Sequence, residues 1–184
     1  LDEKTATEIA DSIVDWINPD NQVMGAGAGS AYYLSLNPPY EAKNAPLDCI
    51  EELLMIKGIT KEIYYGTKEK PSLAQYVTAD SDDGSINVNT APKMVLRSLA
   101  DGISPELADK MDEYRTNAGN DLSSTTWFQN MAGVTIDPEL LLTVNSVYFK
   151  IISSGQLSSM AKTISGIVKK SGNKSVQIIK WRQD

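Results

Sequence analysis

Three stretches of this 184-residue chain carry residue types and spacings that could do chemistry. Asp80-Ser81-Asp82-Asp83-Gly84, with Asn87 and Asn89 close behind, gathers the hard oxygen donors that calcium takes. It lacks the spacing of an EF-hand and has no Glu at the twelfth position, so a polar hairpin turn is the competing reading. Asp80, Asp82, Asp83 and Asn87 are the candidate Ca2+ ligands; Asp121, or Asp15 with Asn18 and Asp20, are further donors that a neighbouring loop could bring. The second stretch, Gly-Ala-Gly-Ala-Gly-Ser at 25–30, suggests a phosphate cradle. It lacks the third correctly spaced glycine, the Lys-Ser/Thr of a P-loop and a preceding strand, and reads as a flexible loop. The third, Gly102-Ile103-Ser104-Pro105, joins two helices in the manner of modules that grip nucleic-acid backbone. Such a grip wants Gly-Ile-Gly, so that consecutive N–H groups can approach a phosphate, and Pro105 has no N–H to offer.

Other chemistries are excluded by composition. The chain has no histidine, which removes Ser-His-Asp and Cys-His catalysis, imidazole zinc sites and the usual general base near neutral pH. Its 24 Asp and Glu show no pairing amid apolar surroundings, and they read as a solvated surface rather than a glycosidase pair. The single cysteine, Cys49, permits no internal disulfide and no Cys-pair metal site; beside Ile50 and Leu53 it reads as core filler on a helical face. The expectation is a protein that is not an enzyme.

The elements that must position these residues fall into two kinds. Ile9, Ile13, Trp16 and Ile17 recur at helical spacing, with Thr5 or Thr7 as N-cap and Pro19 past the end. Residues 25–47, rich in Gly, Pro and Asn, keep no period and predict a long ordered loop. Three apolar helical faces then run alike into Gly, a β-branched residue and a hydroxyl: Gly58-Ile59-Thr60, Gly102-Ile103-Ser104 and Gly133-Val134-Thr135. Each glycine can close a helix in the left-handed conformation while the β-branched residue buries itself. Thr60, Ser104 and Thr135 or Asp137 can cap the next helix in each case, and Pro105 and Pro138 suit a first helical position. These joints read as structural corners. Between the first two, Tyr76–Thr78 and Ile86–Val88 predict a small hairpin around the acidic Gly turn, with Asn89 or Thr90 capping the helix that carries Val95, Leu96 and Leu99. The aromatics Trp16, Tyr32, Tyr33, Tyr40, Trp127 and Phe128 lie beside helix ends and Pro turns, where they anchor cores and loops.

From about Val144 the pattern becomes β-branched with period two. Residues 144–153, 159–170 and 175–183 read as three strands joined by turns at SSGQLS and SGNK, an antiparallel meander. The charge divides at the same place: residues 144–184 carry seven Lys and Arg against one Asp, whereas residues 1–143 carry ten against 23 acids. An acidic helical half repels phosphate backbone. The expected class is α+β, with a helical domain at 1–143 and a β-meander domain at 144–184. No window holds the roughly 18 apolar residues of a membrane helix. A start at Leu1, without a basic and apolar leader, predicts a chain trimmed from a longer precursor.

Several stretches together resemble a known family, the minor pseudopilin K of bacterial type II secretion systems. They are IADSIVDWINPD, AYYLSLNPPYEAKNAPLDCIEELLMIKGIT, SINVNTAPKMVLRSL, ELADKMDEYR and the ending VYFKI to VQIIKWR, in the family's order from about Thr5 to Arg182. YYLSLNPPYEAKN and INVNTAP are the specific pieces. The resemblance implies a pilin-like α/β body with a large helical domain inserted before its last strands, and an apolar N-terminal anchor helix that this chain does not include. It implies a place at the tip of a short periplasmic pseudopilus, on the periplasmic face of the inner membrane of a Gram-negative bacterium. The minor pseudopilins I and J would be its partners, and its work would be starting assembly and export of folded proteins. Some relatives bind calcium in the helical domain. Relatives often carry an acidic stretch before the paired tyrosines, and GAGAGSAYY has none, so no ligand comes from there. Two other readings compete: a helix-hairpin-helix protein that binds nucleic acid, and a calcium-stabilised extracellular binding module.

Overall fold

The computed structural model describes residues 1–81, 84–172 and 175–183, and the chain divides into two compact units, Leu1–Ala79 and Asp80–Asp184. The first is organised on helix α1 (Glu3–Ile17), which buries Ile9 and Trp16 at helical spacing. Its cap lies one turn before the expected threonines: Asp2 accepts the Thr5 N–H at 2.8 Å, and a carboxylate at that end also complements the helix dipole. The expected long loop contains a short helix, α2 (Ser30–Leu34), which seats Tyr33 wholly inside. Trp16 meets the Tyr33 ring edge-on at 5.0 Å between centroids, and Tyr40 stacks on Tyr33 at 5.4 Å. These contacts give YYLSLNPPY its sense: Tyr33 and Tyr40 fold the stretch back onto Trp16 of α1.

The apolar run after this loop is a 3-10 helix, Ile50–Met55, and Cys49 precedes it as a half-buried cap residue rather than filling the core. Gly58 takes φ +86, and the space of its missing side chain holds Ile9 Cγ1, so this corner needs glycine twice over. Ile59 is buried, and Thr60 Oγ1 accepts the Ile63 N–H at 3.3 Å to start α3 (Lys61–Tyr65). Lys43 of the YEAKN stretch pins the loop to the 3-10 helix, bonding Glu52 at 2.8 Å and Asp48 at 2.7 Å. Burial works to raise the Glu52 pKa, but hydrogen bonds from Lys43 and from the Asp48 N–H outweigh it and hold the carboxyl below its ordinary value. A depressed folded pKa adds stability above the unfolded value and loses it as pH falls through the folded one. Glu52→Gln should therefore melt below the native chain at pH 7, and the gap should close below about pH 4 in thermal melts from pH 7 to 3.

The second unit holds α4 (Lys93–Arg97), α5 (Pro105–Thr116) and α6 (Thr126–Ala132) around Leu96, Met111 and Phe128, all fully buried. Ser104 caps α5 through the Leu107 N–H at 3.2 Å, with Pro105 in its first turn, as the sequence predicts. Gly102 differs from expectation, because its φ is not positive. A Cβ there would overlap Val134 Cγ1, so Gly102 is required for close approach rather than for backbone handedness. The third joint departs further. Gly133 is left-handed at φ +62, but Val134 stays 38% exposed, and neither Thr135, Asp137 nor Pro138 starts a helix. Asp137 accepts the Glu139 N–H at 2.9 Å in a turn, and the chain runs straight on to a strand.

That strand corrects the expected hairpin. β1 (Ile86–Asn87) pairs in parallel with β2 (Leu142–Thr143), while the stretch before it forms a 3-10 turn at Leu73–Gln75. Pro92, rather than Asn89 or Thr90, stands at the cap of α4. The C-terminal meander is as predicted in order and direction: β3 (Tyr148–Leu157), β4 (Met160–Ser171) and β5 (Ser175–Gln183), antiparallel with β4 central. SSGQL belongs to β3 rather than to a turn, since each of its residues pairs with β4 and the reversal occurs at Ser158, φ +54. A bulge displaces the β4–β5 register, with Ile167 opposite Lys180 and Val168 opposite Ile178 and so Ile179 left over.

Candidate functional site

Asn89 is the junction between the helical core and the strands. Its Nδ2 donates to Leu122 O at 2.9 Å and Val144 O at 3.4 Å, and its Oδ1 accepts the Trp127 indole N–H at 2.9 Å. Arg115, held to Asp112 at 2.7 Å, sends Nη1 back to Val88 O and Ala91 O at 3.2 and 2.6 Å. INVNTAP is thus a tie-point, since its two asparagines and its carbonyls satisfy groups on three other segments. Asn87 donates to Ser146 Oγ at 2.8 Å and accepts the Asn89 N–H at 2.9 Å.

The glycine-rich loop is a cradle, and its anion is internal. Met24 N–H donates to Asp15 Oδ1 at 2.8 Å and Ala26 N–H to Asp11 Oδ2 at 2.9 Å, so α1 presents two carboxylates and the loop wraps them with amides. Gly25 is left-handed at φ +49 with Asp11 against it, and Asp15 Oδ2 sits where a Gly27 side chain would be. The loop is therefore ordered by α1, where sequence spacing alone predicts flexibility. Spacing identifies no role for Asp11, Lys57 or Arg115, and it reads Asn89 as a helix cap or an oxygen donor where the structure uses it as a junction; i, i+4 acids near a helix end, facing a run of glycines, are the available signal.

The third feature is a bare face. Residues opposite one another in the sheet share a side, and the register puts Phe149 and Ile151, Ile164, Ile178 and Trp181 on one side, with Leu157 and Met160 at its far end. All are solvent-exposed, Ile151 by 53% and Trp181 by 69%. Its lysines, Lys162 and Lys170, stand at the ends of β4. The opposite side is mostly polar and basic, with Ile152 and Ile167 among its residues: Lys169 lies 5.0 Å over the Tyr148 ring, Ser154 bonds Thr163 at 2.8 Å, and Lys180 pairs with Asp80 at 3.4 Å. On the apolar side Val168, central in the sheet, is buried among the exposed residues, and large apolar side chains exposed together in this way are the mark of interaction surfaces.

The other predicted sites fall elsewhere in the fold. Asp80 faces Lys180 and Asn87 serves the junction, while Asp82 and Asp83 lie outside the described residues. Among the described residues, no group of three or more Cys, Asp or Glu is placed to hold a metal ion. Gly58 with Thr60, and Gly102 with Ser104 and Pro105, belong to corners whose isoleucines are buried in two separate cores. No described helix is long and apolar enough to cross a membrane.

Comparison with known proteins covers most of the chain. Two family models, both described as type II secretion system (T2SS), protein K, match residues 1–80 and 86–145. The type II secretion system protein K of Aeromonas hydrophila is 33% identical over 92 residues, 49% of this chain and 26% of that protein. That of Pectobacterium carotovorum is 36% identical over 93 residues, 49% of this chain and 26% of the relative. These matched stretches therefore span about a quarter of the relatives' own length. A solved chain from the GspK-GspI-GspJ complex of enterotoxigenic Escherichia coli shares the fold, with a TM-score of 0.68 and 19% identity over 100% of this chain and 65% of that one. With both helical units matched in order and the sheet shared, the chain belongs to the type II secretion system protein K family.

Proposed function

We propose that the protein is a non-enzymatic minor pseudopilin. It stands at the tip of the secretion pseudopilus, joins the minor pseudopilins I and J there, and helps to start assembly and the export of folded proteins. The bare sheet face carries this reading. Three strands about 4.8 Å apart make a strip roughly as wide as one helix, about 10–12 Å, and strands of nine to twelve residues give it a length of about 30–40 Å. One apolar helix of some 20 residues fits that strip, and a second sheet would overhang it. Two compact units, joints without reactive groups and no histidine agree with a scaffold.

Ile151→Lys with Ile178→Lys separates this reading from a merely loose sheet. Both positions are exposed, so the stability of this chain in thermal melts should change by less than about 1 kcal/mol. The same pair in the longer protein should abolish secretion in cells, because two ammonium groups cannot be buried beneath an apolar helix. Secretion at the native level would overturn the proposal. Saturable binding of this chain to soluble I and J partners is expected independently, and its absence at micromolar concentrations would count against the assembly role.

A further inference from the structure

The loop at 24–27 uses its amides and its carbonyls on different partners. The amides of Met24 and Ala26 face Asp15 and Asp11, whereas the carbonyls of Ala26 and Gly27 accept the Lys57 ammonium at 2.9 and 3.2 Å. The same ammonium lies 5.5 Å from the centre of the Tyr32 ring. Two carbonyl oxygens and an aromatic face form a donor set for a cation, and an ammonium has three protons to distribute among them. Lys57 is anchored for the task, because its own N–H donates to the hydroxyl of the fully buried Tyr33 at 3.3 Å. A guanidinium, being planar and forked, suits this point-like set less well.

We propose that the Lys57 ammonium is the resident cation of the 24–27 loop, a tethered ion where other loops take a soluble metal, so that the first unit keeps this loop ordered without one. The carboxylates then hold the loop from α1 and the ammonium holds it from the far side. Hydrogen exchange on the whole chain tests this. In Lys57→Met, which keeps the stem and removes the charge, the amides of Met24 and Ala26 should exchange roughly tenfold faster or more, while those of α5 stay unchanged. In the native chain their exchange should be the same in chelator and in millimolar calcium. Native-like exchange in Lys57→Met would overturn the proposal, and so would faster exchange of the native loop in chelator. Should Lys57→Met fail to fold, Lys57→Gln, which retains an amide donor without charge, is read by the same criterion.

Discussion

Asn89→Ala should cost the second unit about 3 kcal/mol, a large share of a domain's net stability. The substitution removes a donor from the carbonyls of Leu122 and Val144 and leaves the Trp127 indole N–H without its acceptor. Trp127 is buried and stacked on Tyr114 at 5.5 Å, so its N–H cannot turn to water without disturbing α6. Urea unfolding followed by circular dichroism should show a lower midpoint at unchanged slope. Asn89→Asp keeps the acceptor for Trp127 but faces two carbonyls with oxygen, so it should cost nearly as much. A loss under about 1 kcal/mol would mean that these bonds are replaced by water and that the junction is not where the segments are tied.

Gly27→Ala is the counterpart in the first unit and should cost about 2–4 kcal/mol. The new methyl would overlap Asp15 Oδ2, and the Asp15 carboxyl carbon lies only 2.8 Å from the ideal Cβ position. Asp15 is 1% exposed, so its carboxylate cannot swing away without giving up its bond from the Met24 N–H. Because the worst collision is with one side chain, with the Asp11 backbone carbon next at 3.0 Å, the damage should be partly relieved in the double variant with Asp15→Ala. A coupling of about 1–2 kcal/mol in the double-mutant cycle is expected. Additive effects would place the strain in the loop backbone instead.

The parts of this protein that repeat a local pattern could be read from sequence. The period of Ile9, Ile13 and Trp16, the Ser104 cap and the alternation of the three strands each follow from neighbours within a few residues, where helix and sheet geometry act directly. What could not be read depends on distant partners. β1 pairs with a strand more than fifty residues away, and nothing within Ile86–Asn87 distinguishes that from a hairpin. Gly102 looked like Gly58 and Gly133 in sequence, yet its need is set by Val134 across a corner. The Gly25–Gly27 loop looked flexible because the two carboxylates and the ammonium that order it come from α1 and from Lys57. The basic meander was legible as charge; the bareness of its apolar side was not, since alternation shows that a strand has two sides and not what covers each.

The β-bulge at Ile179 bears on how many molecules can join edge to edge. It breaks the straight run of β5 next to Lys180 and Arg182, and kinks and like charges at a rim discourage a further strand from zipping on. Across the sheet, β3 has no proline, no bulge and only Lys150 among charged residues. Addition of a further strand through backbone bonds would therefore be easier at β3 than at β5.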